Sequence, residues 1–182
     1  MRAGRLRYRA QLVDLSDQLQ AVELGKRWVD IRTKEGESPA PAGLRQRSLV
    51  EIRARHSDMF RPGRYLRHGD RLFHLASVRD PRGNGVELVI SAEELAGTPA
   101  SFVAQPDASA VDCRVFLIHE VARPGQFGGM VEFATQLEAA VVEVGRPQPG
   151  AVFKVDGVQW RVAGLVESED DRIVRRMWVK RV

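Results

Sequence analysis

The stretch that decides the fold lies near the end of the chain, where residues 149–165 read PGAVFKVDGVQWRVAGL. Asp156-Gly157 separates two apolar-rich runs, residues 152–155 and 159–165. An Asp-Gly pair between two such runs favours a two-residue hairpin turn, because both positions accept the positive φ that this turn needs. The stretch therefore predicts a tight antiparallel β-hairpin.

The same pattern occurs earlier in the chain. Shifted by 87 positions without gaps, residues 62–80 (PGRYLRHGDRLFHLASVRD) align with the stretch that begins at Pro149. The shared element is a Pro-Gly entry, a strand, a tight turn and a strand with an aromatic anchor. The matched residues are Pro62-Gly63 with Pro149-Gly150, Phe73 with Trp160, Leu75 with Val162, Ala76 with Ala163 and Val78 with Leu165. One interpretation is that unrelated hairpins share reused turn chemistry. The other, which we favour, is two related small barrels.

The whole chain predicts a mostly β fold, with two small β-barrel or sandwich-like modules in tandem. Short runs with strand character, many of them bounded by turn residues, occur on both sides of residues 94–107. That segment contains Gly97, Pro99 and Pro106 and breaks the periodicity, so it is typical of a connector. We expect a first module at residues 1–95, a linker at 96–109 and a second module at 110–182.

An insertion in the first module, residues 36–47, carries conflicting signals. Residues 42–47 favour a short helix, whereas Pro39 and Pro41 disfavour one. In the second module, residues 131–144 mix apolar and polar residues and do not decide between helix and strand. The fold class therefore includes a possible short helix in the insertion.

Composition and charge restrict the class of protein. The 182-residue chain is 43% hydrophobic, which is typical of a globular protein, and it has no run near the roughly 20 apolar residues of a membrane span. The basic start, MRAGRLRYRA, is not followed by the apolar region of a signal peptide. The single Cys113 cannot form an internal disulfide. We expect a protein of the cytoplasm, or of a particle assembled there, with no membrane partner.

The charge is unevenly distributed along the chain. Residues 1–95 carry 18 Lys and Arg against 13 Asp and Glu, whereas residues 96–182 carry 10 against 11. Most of the basic residues are arginines, which favour bidentate pairing with carboxylate or phosphate. An acidic protein partner and a nucleic-acid backbone both fit this charge.

No catalytic constellation stands out in the sequence. His56, His68 and His74, with Asp58 and Asp70, could converge at a barrel mouth, but histidines among arginines are usually plain polar residues. The acidic cluster Glu167, Glu169, Asp170 and Asp171 fits a solvated hairpin tip better than a metal site. No serine stands in a nucleophile elbow. We therefore expect no enzyme activity, no metal and no cofactor.

Two segments are candidates for contact with partners. The first is the basic start, with Arg2, Arg5, Arg7 and Arg9, which would contact DNA or a neighbouring subunit. The alternative is an edge strand that its charge protects from aggregation. The second candidate is the loop Gly125, Gln126, Phe127, Gly128 and Gly129, which would dock a partner through its one aromatic side chain. A mobile hairpin tip with an incidental Phe is the alternative.

Several of these residues also resemble a known family. The opening residues 1–9, Trp28-Val29-Asp30, residues 53–62, Gly69–Phe73 and the strand at 86–91 resemble the head-tail joining proteins of tailed bacteriophages. Residues 110–182 are similar to the small head-completion proteins, through Pro149-Gly150, residues 155–157, residues 160–162 and the last strand. The fusion of two modules departs from the usual single module of the family.

The resemblance implies a structural protein of the virion neck, between head and tail, which is assembled in the host cytoplasm. Such a connector would form a homo-oligomeric ring, a hexamer or a dodecamer, below the portal protein. It would help to close the DNA-filled head and would offer an attachment surface to tail or tail-terminator proteins. Non-specific double-stranded DNA would pass through its channel.

Two other classes of function compete with this one. A non-enzymatic barrel-type nucleic-acid-binding module requires exposed aromatics interleaved with the arginines. Tyr8, Tyr65 and Phe73 are its candidates in the first module, and Phe73 fits a core position better. A small hydrolase is disfavoured because the sequence offers no pair of nucleophile and base.

Overall fold

The computed structural model of the chain describes residues 6–33, 43–124, 131–166 and 171–182. The chain divides into two compact units, residues 1–96 and 97–182, and each unit contains one closed antiparallel β-barrel of six strands. The predicted fold class, mostly β with two small barrels in tandem, is confirmed.

Barrel 1 is built from the first six strands. Its strands are β1 (Tyr8–Leu15), β2 (Ala21–Thr33), β3 (Arg45–Arg55), β4 (Tyr65–His68), β5 (Arg71–Arg79) and β6 (Glu87–Leu95). The order around the barrel is β1-β2-β3-β6-β5-β4, and the pairing of β1 with β4 closes it. Closure gives each strand of the barrel two neighbours, which removes the open edge strands that promote aggregation.

Barrel 2 repeats this arrangement with one addition. Its elements are β7 (Thr98–Val103), β8 (Val111–Pro124), β9 (Val131–Ala140), α1 (Val141–Val144), β10 (Val152–Val155), β11 (Val158–Leu165) and β12 (Val174–Arg181). The order β7-β8-β9-β12-β11-β10 has the connectivity of barrel 1, and the pairing of β7 with β10 closes it. The short helix α1 lies between the third and fourth strands.

Each barrel has its own apolar core. Alternate residues of the strands point inward, as period-two geometry requires. In barrel 1, Leu12, Ile52 and Phe73 belong to a fully buried cluster. In barrel 2, Leu137 and Phe153 belong to a second buried cluster. Because each cluster is drawn from all or nearly all strands of its own barrel, each barrel is stabilised by a separate hydrophobic centre.

The internal repeat is confirmed in the backbone. In barrel 1 the amide of Gly63 donates to Leu75, and in barrel 2 the amide of Gly150 donates to Val162, which are the residues 87 positions later. The two barrels also share the pairing of these strands. Leu66 lies opposite Phe73 in barrel 1, and Phe153 lies opposite Trp160 in barrel 2. Both β5 and β11 carry a register shift at equivalent places, after Leu75 and after Val162. Unrelated hairpins with similar turns would not share an irregularity of this kind.

The predicted hairpin at Asp156-Gly157 is also confirmed. Val155 pairs with Val158 across these two residues, whose φ angles of 47° and 79° are those of a type I′ turn. In barrel 1 the equivalent two-residue loop has its positive φ at Gly69, the first central position.

Two predictions about local structure are wrong. The expected linker at 96–109 contains β7, whose Phe102 enters the core of barrel 2. Its alternation was hard to recognise because Phe102 is its one large buried residue and because Pro99 interrupts the strand pattern. Residues 45–47 of the expected helix belong to β3. Within the described residues the one helix is α1, which follows β9 and is too short to leave a periodic signal.

Candidate functional site

A basic surface with an exposed aromatic ring covers the outer side of barrel 1 where β1, β2 and β3 lie side by side. We call it the Trp28 face and define it by Arg7, Arg9, Lys26, Trp28 and Arg55. All five side chains are exposed, and the indole of Trp28 is 56% exposed. The face is therefore accessible to a partner.

Strand register explains why these residues share a face. Arg9 pairs with Trp28 across β1 and β2, and its chain neighbour Ala10 is buried in the core. Val29, next to Trp28, pairs with Ala54, so Arg55 lies beside Trp28 along β3. Because inward and outward residues alternate, the buried neighbours force these side chains outward.

At least five other arginines of barrel 1 form ion pairs with carboxylates of the same barrel. Arg32 pairs with Asp30 at 2.8 Å, Arg53 pairs with Glu51 at 2.9 Å, and Arg71 pairs with Glu94 at 2.7 Å. The hydrogen bond to Glu94 raises the pKa of Arg71.

Among the described residues, by contrast, no carboxylate forms an ion pair with the four cations of the Trp28 face. Their charge is thus available to an external anion.

The Trp28 face includes part of the predicted basic start. Arg7 and Arg9 belong to it, whereas Arg2 and Arg5 lie outside the described residues. Sequence reasoning did not assign Trp28, Lys26 or Arg55 to a site. The available signal was the alternation of Lys26 and Trp28 with Arg27 and Val29 along one strand. The registers that place them beside Arg9 and Arg55 leave no local signal.

The aromatic residues proposed for nucleic-acid binding have other positions. Tyr65 and Phe73 are fully buried, and Tyr8 is partly buried against the core with its ring 5.0 Å from that of His68. Tyr65 and Phe73 are therefore unavailable for stacking on a base, Tyr8 offers only part of its ring, and Trp28 is the aromatic residue of these strands with an exposed ring.

The histidines do not converge on a site. His74 is buried beside Tyr65, with its ring 5.3 Å away, and its Nδ1 lies 3.5 Å from a carboxylate oxygen of Glu93. The ring of His68 makes a tilted contact with that of Tyr8. Within the part of the chain that the structure describes, no group of three or more His, Cys, Asp or Glu is placed to hold a metal ion.

The acidic cluster of the sequence is described only at its last residue. Glu167, Glu169 and Asp170 lie outside the described residues. The carboxylate of Asp171 accepts hydrogen bonds from the amides of Ile173 and Val174, at 2.8 and 2.9 Å. Asp171 therefore has a structural role at the start of β12.

A second exposed surface lies on the β8–β9 hairpin of barrel 2. The predicted docking loop, residues 125–129, connects these strands and is itself outside the described residues. Beside it, Phe133 pairs with Ala122 and is 71% exposed. Arg123 and Glu132 form an ion pair of 2.7 Å on the same hairpin. The described flank of the loop thus presents an aromatic side chain to solvent.

The one cysteine is part of the core of barrel 2 and not of a site. Cys113 is buried, and this burial, with a smaller contribution from Glu143, raises the pKa of its thiol to about 12. A protonated thiol is a poor nucleophile. The neighbouring Arg114 is held by Glu143 of α1 through contacts of 2.9 and 3.0 Å.

No family model, curated protein or solved structure matches the chain. In the described segments, no helix has the length and hydropathy that crossing a membrane would require.

Proposed function

We propose that the protein is a structural, non-enzymatic connector of the bacteriophage neck. It forms a homo-oligomeric ring, a hexamer or a dodecamer, below the portal protein, helps to close the DNA-filled head and provides the surface to which tail or tail-terminator proteins attach. The proposal starts from the resemblance of residues 1–95 to head-tail joining proteins, and the exposed surface of the β8–β9 hairpin supports it best.

The β8–β9 hairpin has the properties of a docking element. When a partner covers a large aromatic side chain that is exposed in the isolated subunit, the removal of its apolar surface from water favours binding. Aromatic residues are enriched at the energetic centres of interfaces. Phe133 satisfies this description, and the Gly-rich residues 125–129 next to it contain a second aromatic, Phe127. We assign portal or tail contacts to this hairpin.

The architecture agrees with a ring. Small barrels bury little apolar surface each, so association between subunits adds to their stability. A cyclic ring needs two different complementary surfaces on each subunit. Exposed arginines such as Arg7 and Arg9 would contact DNA in the channel, or an acidic neighbour, without reading a base sequence.

Native mass spectrometry of the full chain, alone and mixed with portal protein and with tail-terminator protein, tests the proposal. We expect a discrete ring of six or twelve copies, or a ring that forms only on the portal. A chain that stays monomeric and binds neither component over a range of concentrations would refute it. Negative-stain images of the portal mixture provide an independent reading, because an added ring would extend the portal along its axis.

A further inference from the structure

We propose that the Trp28 face binds single-stranded nucleic acid without sequence preference. The cations Arg7, Arg9, Lys26 and Arg55 would contact phosphates, and the indole of Trp28 would stack on an unpaired base. This inference goes beyond the proposed function, in which double-stranded DNA passes through the ring, and it does not depend on that function.

The chemistry of the face favours a polyanion over a protein surface. The centres of protein interfaces are depleted of charged residues overall, although single arginines and aromatic residues are enriched there. On the Trp28 face the one exposed ring lies among four cations that have no ion-pair partner in the described chain. Burying these cations against a protein would require a matching set of carboxylates, whereas a phosphate backbone supplies regularly spaced negative charge.

The ring itself favours a single strand over a duplex. In a duplex, neighbouring base pairs cover the faces of each base, so an indole has nothing to stack on. Proteins that bind single strands combine a positively charged track with exposed aromatic side chains. Arg9, Trp28 and Arg55 lie on three adjacent strands, which are about 4.8 Å apart. The cations therefore flank the ring on both sides.

Barrel 2 supplies an internal comparison, because its strands have the same order and register. The pairing of Pro99 with Arg114 corresponds to that of Arg9 with Trp28, and the pairing of Ser101 with Asp112 corresponds to that of Gln11 with Lys26. Ala140, which follows Ala139 opposite Val115, occupies the position of Arg55.

The two barrels thus differ sharply at equivalent places. Where barrel 1 has Arg9, Lys26 and Arg55, barrel 2 has a proline, an aspartate and an alanine. The arginine at the position of Trp28 is neutralised by Glu143, which is almost fully buried. The barrel fold alone does not require a basic aromatic surface at this place, so barrel 1 carries it as a feature of its own.

Fluorescence anisotropy with a labelled 20-nucleotide oligothymidylate tests the proposal on the purified full chain. We expect binding that weakens with salt, and binding to a blunt duplex of equal phosphate number that is weaker. Trp28→Ala should weaken single-strand binding by about 5-fold or more, because that is the lower end of the stacking contribution of one base. Trp28→Phe should retain part of the affinity.

The cations are tested by the salt dependence of binding. The double variant Arg9→Ala/Arg55→Ala should lower the slope of log K against log salt by about 1.4, which corresponds to two phosphate contacts on a single strand. Lys154→Ala, which removes an exposed cation from barrel 2, is the matched control and should leave the slope unchanged. Thermal melts of each variant confirm that the chain stays folded.

Three results would overturn the proposal. The first is the absence of binding at low salt. The second is a Trp28→Ala variant that is still folded and binds as tightly as the parent chain. The third is equal binding of polyglutamate, which would identify the face as a surface for acidic proteins. Ring formation is measured separately with portal and tail components, so failure here leaves the connector function standing, and the reverse also holds.

Discussion

Truncation of Phe133 separates a docking role of the β8–β9 hairpin from an incidental exposed side chain. The residue is 71% exposed and lies beside residues 125–129, which join β8 to β9. Because Phe133 is largely solvated in the subunit, Phe133→Ala should change the free energy of unfolding very little. Any large effect should therefore be on assembly.

The expected size of that effect follows from the exposed area. An aromatic side chain buries about 150–250 Å² when fully covered, so the exposed part of Phe133 amounts to roughly 110–180 Å². At about 25 cal/mol per Å², covering it contributes at most about 3–4 kcal/mol per contact. The affinity of the hairpin for portal or tail protein should fall by up to about 100- to 700-fold, since 1.4 kcal/mol corresponds to tenfold.

Biolayer interferometry with immobilised portal protein or tail-terminator protein measures this change, and thermal melting checks the fold. Val86→Ala is the matched control, because Val86 is a comparably exposed apolar residue on barrel 1. It should bind as the parent chain does. Unchanged affinity of a folded Phe133→Ala variant for both components would refute the docking role of this side chain. A loss of folding would show instead that Phe133 stabilises barrel 2 itself.

Four further predictions concern stability and reactivity. Gly25→Ala should destabilise barrel 1 by about 1–3 kcal/mol in urea unfolding, because Gly25 has a φ of 106° at the register shift between β1 and β2. Hydrogen bonds from the amides of Gly85, Arg82 and Gly83 lower the pKa of the Asp80 carboxyl. The contribution of this carboxylate to stability is therefore present above the unfolded pKa and is lost as pH falls through the lower folded pKa. The difference in Tm between the parent chain and Asp80→Asn should accordingly shrink below about pH 4. Cys113 should resist iodoacetamide at pH 8 in the native chain and react after unfolding, because burial raises its thiol pKa to about 12. Glu143→Ala should destabilise barrel 2 by up to about 3 kcal/mol, since it removes the nearly buried carboxylate that pairs with Arg114, whose side chain is 14% exposed. Faster alkylation of Cys113 in mild denaturant would report the loss.

The fold could be predicted from sequence because its signals are local or repeated. Asp156-Gly157 identifies a turn from two adjacent residues, and the 87-residue shift relates two hairpins without any knowledge of their partners. The closure of each barrel by six strands could not be predicted in this way. It depends on the pairing of β1 with β4 and of β7 with β10, between segments far apart in the chain. No local pattern encodes that pairing.

The Trp28 face likewise combines residues that a local pattern identifies with residues that only strand pairing brings together. Arg7 and Arg9 could be identified because they alternate within one strand. Trp28 and Arg55 join them only through the registers of β1 with β2 and of β2 with β3. A sequence pattern predicts which residues of a strand share a side, but not which strand lies next to it or at what offset.

The repeat also gives a reason for the positions of two segments that differ in composition between the halves. The Pro-containing residues 36–44 lie in the connection from β2 to β3, and the Gly-rich residues 125–129 lie in the connection from β8 to β9. These connections join equivalent strands of the two barrels. Since loops accept changes that a closed core does not, a duplicated barrel can diverge at this place without disturbing its strand pairing. The shared backbone and the different loops are therefore what a duplication would leave if each barrel had acquired its own partner.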